Sequence, residues 1–485
     1  MDKKETQTTQ YHRAKWWQLA LFPFNNTATN LYAMLMGYIS YYLVGFAGIG
    51  VVLAGTVMTA MRIWDGITDP IIGYVVDKTN GKFGKNRPFM VLGNIVLAIM
   101  AIIIFTTTHL VPKKFSFIYF VIVYAIYIIG YTLQCVVTKS AQSCLTNDPS
   151  QRPLFALFDG IYNTALFTGL GYVVMSIWYP RYGGFTLDFF QHFLKFTVVG
   201  SAILTVLSVI AIWSKDREEY FGTGVAVKVT FKDYWDVLKH NRAIQMLVVS
   251  ASSDKLASNV AQNSVIAMMV YGIVCGDATI GSKLGLIMMV PNMLIMFFGV
   301  GYIARKLGQR KAMIYGSVFG IIFNMALYAL FIFGDPKTLS LTNISMFTVL
   351  FLAFTILGRG AAGVAGSIVI PMTADCADYE TYRTGKYVPG LMGTLFSFVD
   401  KIISSFASTI VSLSIAAIGF TTTQPEATTP YSAGIFWVGI SLMFILPIIG
   451  LVLNLISMKF YPLTKEKMEE IQEAIAEIKA KNKVA

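Results

Sequence analysis

The stretch that begins at Arg62 reads RIWDGITDP and places three ionisable side chains in an otherwise apolar run. Arg62, Asp65 and Asp69 are three or four residues apart, so a helix puts them on one face, with Thr68 beside them. A charge at the centre of a bilayer costs at least about 2.5 kcal/mol, so such residues are functional candidates. Two carboxylates on adjacent turns suit Na⁺, or a proton carried by one of them. The alternative is a structural pair of acids that is neutralised by Arg62 and a lysine.

A second charged pair, Asp400 and Lys401, lies in another apolar run. A buried lysine needs a negative partner, and neighbouring residues of a helix point about 100° apart. We therefore predict that Lys401 faces Asp65 or Asp69, where lysine and cation compete for the carboxylates. A purely structural ion pair is the alternative.

The elements that must position these residues are membrane spans. Of the 485 residues, 55 % are hydrophobic and 13 % charged, against about 45–50 % and about 25 % in soluble domains. With a mean hydropathy of +0.61, this excludes a soluble enzyme, a disordered protein and a nucleic-acid binder. A helix needs about 20 apolar residues to cross a bilayer. Twelve such runs lie near 20–45, 49–76, 88–107, 115–138, 155–178, 193–213, 242–273, 280–304, 311–333, 341–370, 389–419 and 432–458.

Lysine and arginine are distributed unevenly between the two sides of these spans. Of 38 such residues, 28 lie in the tails and loops of one side, five on the other side and five within spans. By the positive-inside rule, both termini are expected in the cytoplasm. The predicted organisation is an N-terminal six-helix bundle at 1–213, a cytoplasmic middle loop at 214–241, a C-terminal six-helix bundle at 242–458 and a cytoplasmic tail at 459–485. The apolar spacing of Met468, Ile471, Ile475 and Ile478 predicts a solvated or interfacial helix in the tail.

A repeated loop supports two related halves. After the second span the chain reads GYVVDKTNGKFGK from Gly73, and after the eighth it reads GYIARKLGQRK from Gly301. Each is a helix end with small residues followed by a tight basic loop, and glycine lets helices approach closely. This resembles the loop signature of the major facilitator superfamily, whose halves are related by an axis along the membrane normal. The predicted fold is all-α, with twelve transmembrane helices in two six-helix bundles.

Two motifs narrow the resemblance to one family. RIWDGITDPIIGYVVDKTNGKFGKNRP and MTADCADYETYRTG, followed by Lys401, resemble the signatures of the glycoside–pentoside–hexuronide:cation symporters. The resemblance implies that Asp65, Asp69 and Thr132 bind the cation and that Lys401 lies beside them. Thr68 replaces an asparagine of the melibiose permease and still offers an oxygen ligand.

The predicted sugar site departs further from that family. Where the melibiose permease has an aspartate on the fourth span and an arginine on the fifth, the alignment places Cys135 and Asp159. Asparagine offers hydrogen-bond donors and acceptors, so amides with one carboxylate suit a neutral sugar. The alternative for the asparagines is hydrogen bonding between helices. The substrate candidates are Asn26, Thr29, Asn30, Gln134, Cys135, Asp159, Tyr162 and Asn163.

Acidic residues at the end of the tenth span predict a cytoplasmic gate that pairs with the basic loops. A solvated loop is the alternative. The gate candidates are Asp77, Arg87, Asp375, Asp378, Tyr379 and Arg383.

Together these patterns predict a secondary transporter of a bacterial inner membrane. It would import a sugar or glycoside with Na⁺ or H⁺ by alternating access, as a monomer, with the lipid bilayer and a monovalent cation as partners and no cofactor, resident metal or nucleic acid. Arg62 and Lys401 would couple the ion to the sugar. An uncoupled facilitator, an exporter or a sugar sensor are the alternatives. An enzyme is not expected, because no HExxH, GxSxG or GxxxxGK[ST] motif occurs and all four histidines lie in tails and loops.

Overall fold

The computed structural model describes residues 12–79, 81–146, 151–217, 220, 237–384 and 389–484. Most of these residues are helical, and a single bridge between Gly81 and Gly84 is the one β contact among them. The α-helices in chain order are α1 Trp16–Leu21, α2 Phe24–Met36, α3 Ile39–Gly45, α4 Val51–Lys78, α5 Arg87–Thr107, α6 Lys113–Ser140, α7 Gln142–Leu145, α8 Arg152–Thr164, α9 Tyr179–Arg181, α10 Leu187–Ile212, α11 Arg242–Ala261, α12 Ser264–Ala267, α13 Ile280–Phe298, α14 Arg305–Leu307, α15 Gln309–Phe333, α16 Met346–Thr384, α17 Pro389–Ser405, α18 Ala407–Ala417, α19 Ala433–Ile440, α20 Leu446–Phe460 and α21 Lys465–Val484. Wider π-helical turns continue several of them, at Ala165–Leu170, Val173–Trp178, Met268–Val274, Gly299–Ala304 and Ser441–Ile445.

Eight helical stretches among the described residues are long and apolar enough to cross a membrane. They correspond to the predicted third to sixth and ninth to twelfth spans. The other four predicted spans are broken or charged. The first is interrupted between α1, α2 and α3, the second carries the charges of α4, and the seventh is interrupted between α11 and α12. In the eighth, Pro291 lies inside α13 and a π-helical turn follows it. Such irregular backbone at membrane depth is tolerated where it is buried in protein or lines a cavity.

The chain forms two compact units, each of which has its own core. The N-terminal unit comprises residues 1–49 and 64–226. In it, α5 packs along α6 and α10 packs against α2 and α5. One end of this unit is filled by rings, among which Phe105 and Phe190 stack with centroids 5.6 Å apart.

The C-terminal unit comprises residues 50–63 and 227–485. It is built on the pairing of α15 with α16 and of α11 with α20. Its residues 50–63 are the first half of α4, where the Thr59 hydroxyl donates to the Ser405 carbonyl at 2.8 Å and lies 2.7 Å from the Thr409 hydroxyl. The predicted middle loop at 214–241 lies largely outside the described residues, and the predicted bundle boundaries stay predictions.

The tail helix α21 packs against the C-terminal unit. Ile471 and Ile475 are 0 % and 6 % exposed and belong to the core cluster of that unit, with Met468 packed beside them. The Gln472 amide also donates to Asp378 at 2.7 Å. The prediction of a solvated or interfacial helix is therefore wrong for the stripe of Met468, Ile471 and Ile475, because protein rather than lipid or water covers it. The side chain of Ile478 lies outside the described residues.

Candidate functional site

A cluster of oxygen atoms surrounds Asp65 in the N-terminal unit. The Asp65 side chain is 1 % exposed, and its Oδ1 accepts a hydrogen bond from the Thr132 hydroxyl at 3.1 Å. The hydroxyls of Thr68 and Thr132 are 3.1 Å apart, and Thr68 also bonds to the Asp65 carbonyl at 3.1 Å. The structure thus brings together three of the four residues predicted to bind a cation. Carboxylate, hydroxyl and carbonyl oxygens are hard ligands that suit a small cation.

Three other residues were predicted around this cluster. Two of them, Arg62 and Asp69, lie on α4 with Asp65, and the third, Lys401, lies in the C-terminal unit. Asp69, one turn beyond Asp65 on α4, is partly buried, and Arg62, one turn before it, is exposed. Lys401 is partly buried on α17. That Lys401 faces these carboxylates stays a prediction.

A ladder of amide and carboxylate groups joins α2 to α8. Asn26 and Asn163 donate to the two carboxylate oxygens of Asp159 at 2.8 and 3.0 Å. The Asn30 amide donates in turn to the carbonyl oxygen of Asn163 at 2.7 Å. Because each amide keeps a second N–H, this polar ladder can still bind the hydroxyl groups of a sugar.

The structure places three other substrate candidates in packing contacts. The Thr29 hydroxyl bonds to the Asn25 carbonyl in its own helix and is 1 % exposed. Gln134 is fully buried and donates to the Met90 carbonyl at 2.7 Å. Tyr162 donates to the Ala20 carbonyl at 3.0 Å. The Gln134 and Tyr162 contacts join neighbouring helices, whereas the Thr29 contact lies within α2. The residues of the polar ladder are partly buried, as is Cys135 on α6.

The loop between α4 and α5 closes around a carboxylate that the sequence did not single out. Asp216, whose side chain is 0 % exposed, accepts the backbone N–H groups of Lys85, Asn86 and Arg87 at 3.2, 3.0 and 2.9 Å. The Arg87 guanidinium reaches the same carboxylate at 3.4 Å and lies over the Trp213 ring. Arg87, a predicted gate residue, is therefore held within its own unit by the Asp216 clasp.

Glycine is required in this clasp at one position. Gly84 has a φ of +88°, and a Cβ there would lie 2.2 Å from the Asp216 carboxylate. The nearby Cys144 thiol accepts from the Asn86 amide at 3.7 Å. Burial, and then the charge of Asp216, raise the pKa of Cys144 to about 12.

Four other predicted gate residues lie at the end of α16. Arg383 pairs with the buried Glu380 at 2.8 Å, and Asp378 accepts from α21. Asp375 lines a cavity of about 490 Å³ under the same tail helix, and Tyr379 packs against the core cluster. The side chain of Asp77 lies outside the described part of the chain.

The C-terminal unit also contains an ion pair that the sequence patterns did not predict. Lys255 on α11 lies 2.5 Å from Asp400 on α17, and the two side chains are 53 % and 7 % exposed. The signal in the sequence was that each charge interrupts an apolar run, but nothing in the sequence paired them. On α16, Arg359 bonds to the buried Tyr271.

The family follows from a comparison of the whole chain with known proteins. The model of the family described as MFS/sugar transport protein matches residues 26–465. The chain belongs to the glycoside–pentoside–hexuronide:cation symporter family of the major facilitator superfamily. It is therefore a multi-pass membrane transporter with the superfamily's twelve-helix fold, and not an enzyme. The predicted resemblance and fold class are confirmed.

Relatives of the transporter match it over nearly their whole length. The Bacillus subtilis protein named as the uncharacterized symporter YnaJ is 24 % identical over 94 % of this chain and 92 % of its own. The glucuronide carrier protein homolog of Escherichia coli is 22 % identical over 97 % and 96 %. The isoprimeverose transporter of Lactiplantibacillus pentosus is 21 % identical over 93 % and 89 %.

Solved structures support the fold alone, because their sequences are distant. The nucleoside transporter NupG superposes with a TM-score of 0.62 at 12 % identity and covers 92 % of this chain and 99 % of its own. A variant of the Escherichia coli fucose:proton symporter FucP gives 0.51 at 14 % identity, over 92 % and 98 %.

Proposed function

We propose that the transporter imports a glycoside or related sugar together with Na⁺ or H⁺, with both termini in the cytoplasm of a bacterial cell. The observation that carries this proposal is the buried Asp65 carboxylate with the Thr68 and Thr132 hydroxyls around it. A carboxylate at the depth of a span is costly unless a charge balances it. A bound cation supplies that charge and leaves again, which a fixed ion pair does not.

The names of two relatives support a sugar as the substrate. The proteins named as a glucuronide carrier homolog and an isoprimeverose transporter match nearly the full chain. The polar ladder of Asn26, Asn30, Asp159 and Asn163 supplies the amide and carboxylate groups that bind sugar hydroxyls.

The coupling rule follows from charge. Departure of the cation removes one positive charge from around Asp65 and Asp69, and an unbalanced charge in a span disfavours switching between outward and inward access. With the cation bound, the charge is balanced and switching proceeds. One charge that moves through 150 mV supplies about 3.5 kcal/mol, which is enough for a few-hundred-fold accumulation.

The test is uptake of labelled glycosides into proteoliposomes under an imposed Na⁺ or proton gradient. We expect one of the two gradients to drive accumulation. Asp69→Asn should abolish accumulation and retain sugar exchange, since exchange needs no net movement of the cation. Thr132→Val should weaken the cation dependence, whereas Thr106→Val, which removes an exposed hydroxyl bonded only within its own helix, should not. Uptake that equilibrates without regard to either gradient would indicate a facilitator, and binding without flux would indicate a sensor.

A further inference from the structure

Lys255 has a charged, open side chain on α11, next to the partly buried Asp254. It lies thirteen residues after the start of α11 at Arg242, which is about 20 Å along the helix. More than half of its side chain, 53 %, is open. An ammonium group that faced lipid at this depth would be strongly disfavoured. We therefore expect the open part of Lys255 to face water rather than lipid.

Asp400 balances this charge from the buried side. It is 7 % exposed and accepts from Lys255 at 2.5 Å. An ammonium has three N–H donors, and Asp400 engages one of them in this contact, so donors remain for a molecule in the water. The pair as a whole is neutral, which distinguishes it from a lone lysine that would attract any anion.

We propose that Lys255 is a sugar-binding residue whose ammonium donates to hydroxyl oxygens of a neutral glycoside, while Asp400 supplies the counter-charge that disfavours acidic sugars. The inference rests on the proposed function, because it assumes that the transporter carries a glycoside. It adds a substrate class to that function, and it separates this chain from any relative that carries a uronide.

Removing either Lys255 or Asp400 leaves the charge of the other uncompensated. The charge that is left determines whether neutral or acidic sugars are preferred. Without the Asp400 carboxylate, the ammonium is uncompensated and a sugar carboxylate becomes its best partner. Without the ammonium, Asp400 is left buried and unpaired, so that both folding and neutral-sugar binding weaken. Removing both charges restores neutrality but not the hydrogen-bond donor.

The test measures exchange in proteoliposomes that contain the full-length transporter. The probes are the neutral p-nitrophenyl β-D-glucoside, galactoside and xyloside, and the acidic p-nitrophenyl β-D-glucuronide. Asp400→Asn should raise the ratio of glucuronide to neutral-sugar exchange about tenfold or more, a change of about 1.4 kcal/mol. Lys255→Gln should raise the KM for the neutral probe about tenfold. The double variant should return the ratio to the wild-type value with the KM still raised.

Two further variants separate the change in sugar selectivity from effects on folding. Lys255→Arg retains the positive charge and should keep the wild-type ratio. Lys283→Gln removes a lysine of another, half-open ion pair of the same unit, which lies 3.4 Å from Asp277, and should leave ratio and KM unchanged. A ratio within twofold of wild type in a folded Asp400→Asn variant, with an unchanged KM in Lys255→Gln, would overturn the inference. A wild-type transporter that exchanges none of the four probes, yet accumulates another class of solute, would instead contradict the proposed function and the inference together.

Discussion

Asn26 on α2 donates a hydrogen bond to Asp159 on α8 at 2.8 Å, so a carboxylate within the fifth predicted span is held by an amide from the first. Asn163 binds the other oxygen of the same carboxylate. The donors fix the direction of each amide, because the carboxylate only accepts.

Replacement of Asp159 by Asn should weaken sugar binding more than it changes cation binding. In Asp159→Asn, the new NH₂ group faces one of the two amides that donate to Asp159 in the wild type. One hydrogen bond to a charged group, worth about 1.5–3 kcal/mol, is therefore lost. We expect the KM for sugar to rise at least about tenfold. The measurement is initial-rate uptake with Thr164→Val as the control, since that hydroxyl bonds only to the Gly160 carbonyl of its own helix. A KM within twofold of wild type would exclude Asp159 from the sugar site.

Loss of the Asp216 carboxylate should destabilise the N-terminal unit. Three backbone N–H groups and the Arg87 guanidinium converge on it. We expect the loss of these contacts to lower the free energy of unfolding by about 3 kcal/mol, as when one partner of another buried charge pair is removed. Thermal unfolding of the purified protein should show a lower Tm for Asp216→Asn and Gly84→Ala, whereas Asp188→Asn, which alters an exposed carboxylate of the same unit, should have little effect. An unchanged Tm in both clasp variants would contradict this account of the loop.

The Cys144 thiol reports on the same clasp. Burial raises its pKa to about 12, so about one molecule in 10⁵ carries the reactive thiolate at pH 7. Because the folded pKa is raised, reactivity should increase only as the pH rises toward that value. N-ethylmaleimide should label Cys144 slowly in the folded wild type and much faster in Asp216→Asn, with labelled peptides identified by mass spectrometry. Fast labelling of Cys144 in the wild type at pH 7 would show that the thiol is not shielded as the structure has it.

The tail helix should contribute to stability through its buried face. Ile471 is fully buried, whereas Glu473 on the same helix is exposed. Truncation of a buried isoleucine to alanine costs about 2–5 kcal/mol, and an exposed change costs within about 0.5 kcal/mol. Ile471→Ala should therefore lower the Tm clearly and Glu473→Ala should not. Equal Tm values for the two variants would mean that α21 is undocked in the membrane.

Residue spacing predicted the parts of the site that lie on one helix or share a motif. The apolar runs predicted the spans, and the spacing of Arg62, Asp65 and Asp69 predicted one polar stripe with Thr68 beside it. The Thr68 hydroxyl does bond to the Asp65 carbonyl. The ladder between Asn30 and Asn163 joins residues 133 positions apart, and helical periodicity contains no information on such pairs. Asp216 was missed for the same reason, since its role depends on the backbone of a loop that is distant in sequence.

The tail helix α21 shows a second limit of prediction from residue spacing. The spacing of Met468, Ile471 and Ile475 specifies an apolar stripe but not what covers it. Lipid, solvent exposure and protein give the same periodicity, and only the packing against the core cluster separates them.

The central claim, that a cation bound at Asp65 moves with the sugar, is tested most directly by electrical recording on a solid-supported membrane. A sugar jump should produce a transient inward positive current in the wild type that depends on Na⁺ or on acidic pH, since each neutral sugar would enter together with at least one cation. Asp65→Asn should give no such current at an equal amount of reconstituted protein. A wild-type protein that exchanges sugar without any current under either cation, or an Asp65→Asn variant with an undiminished current, would contradict the account.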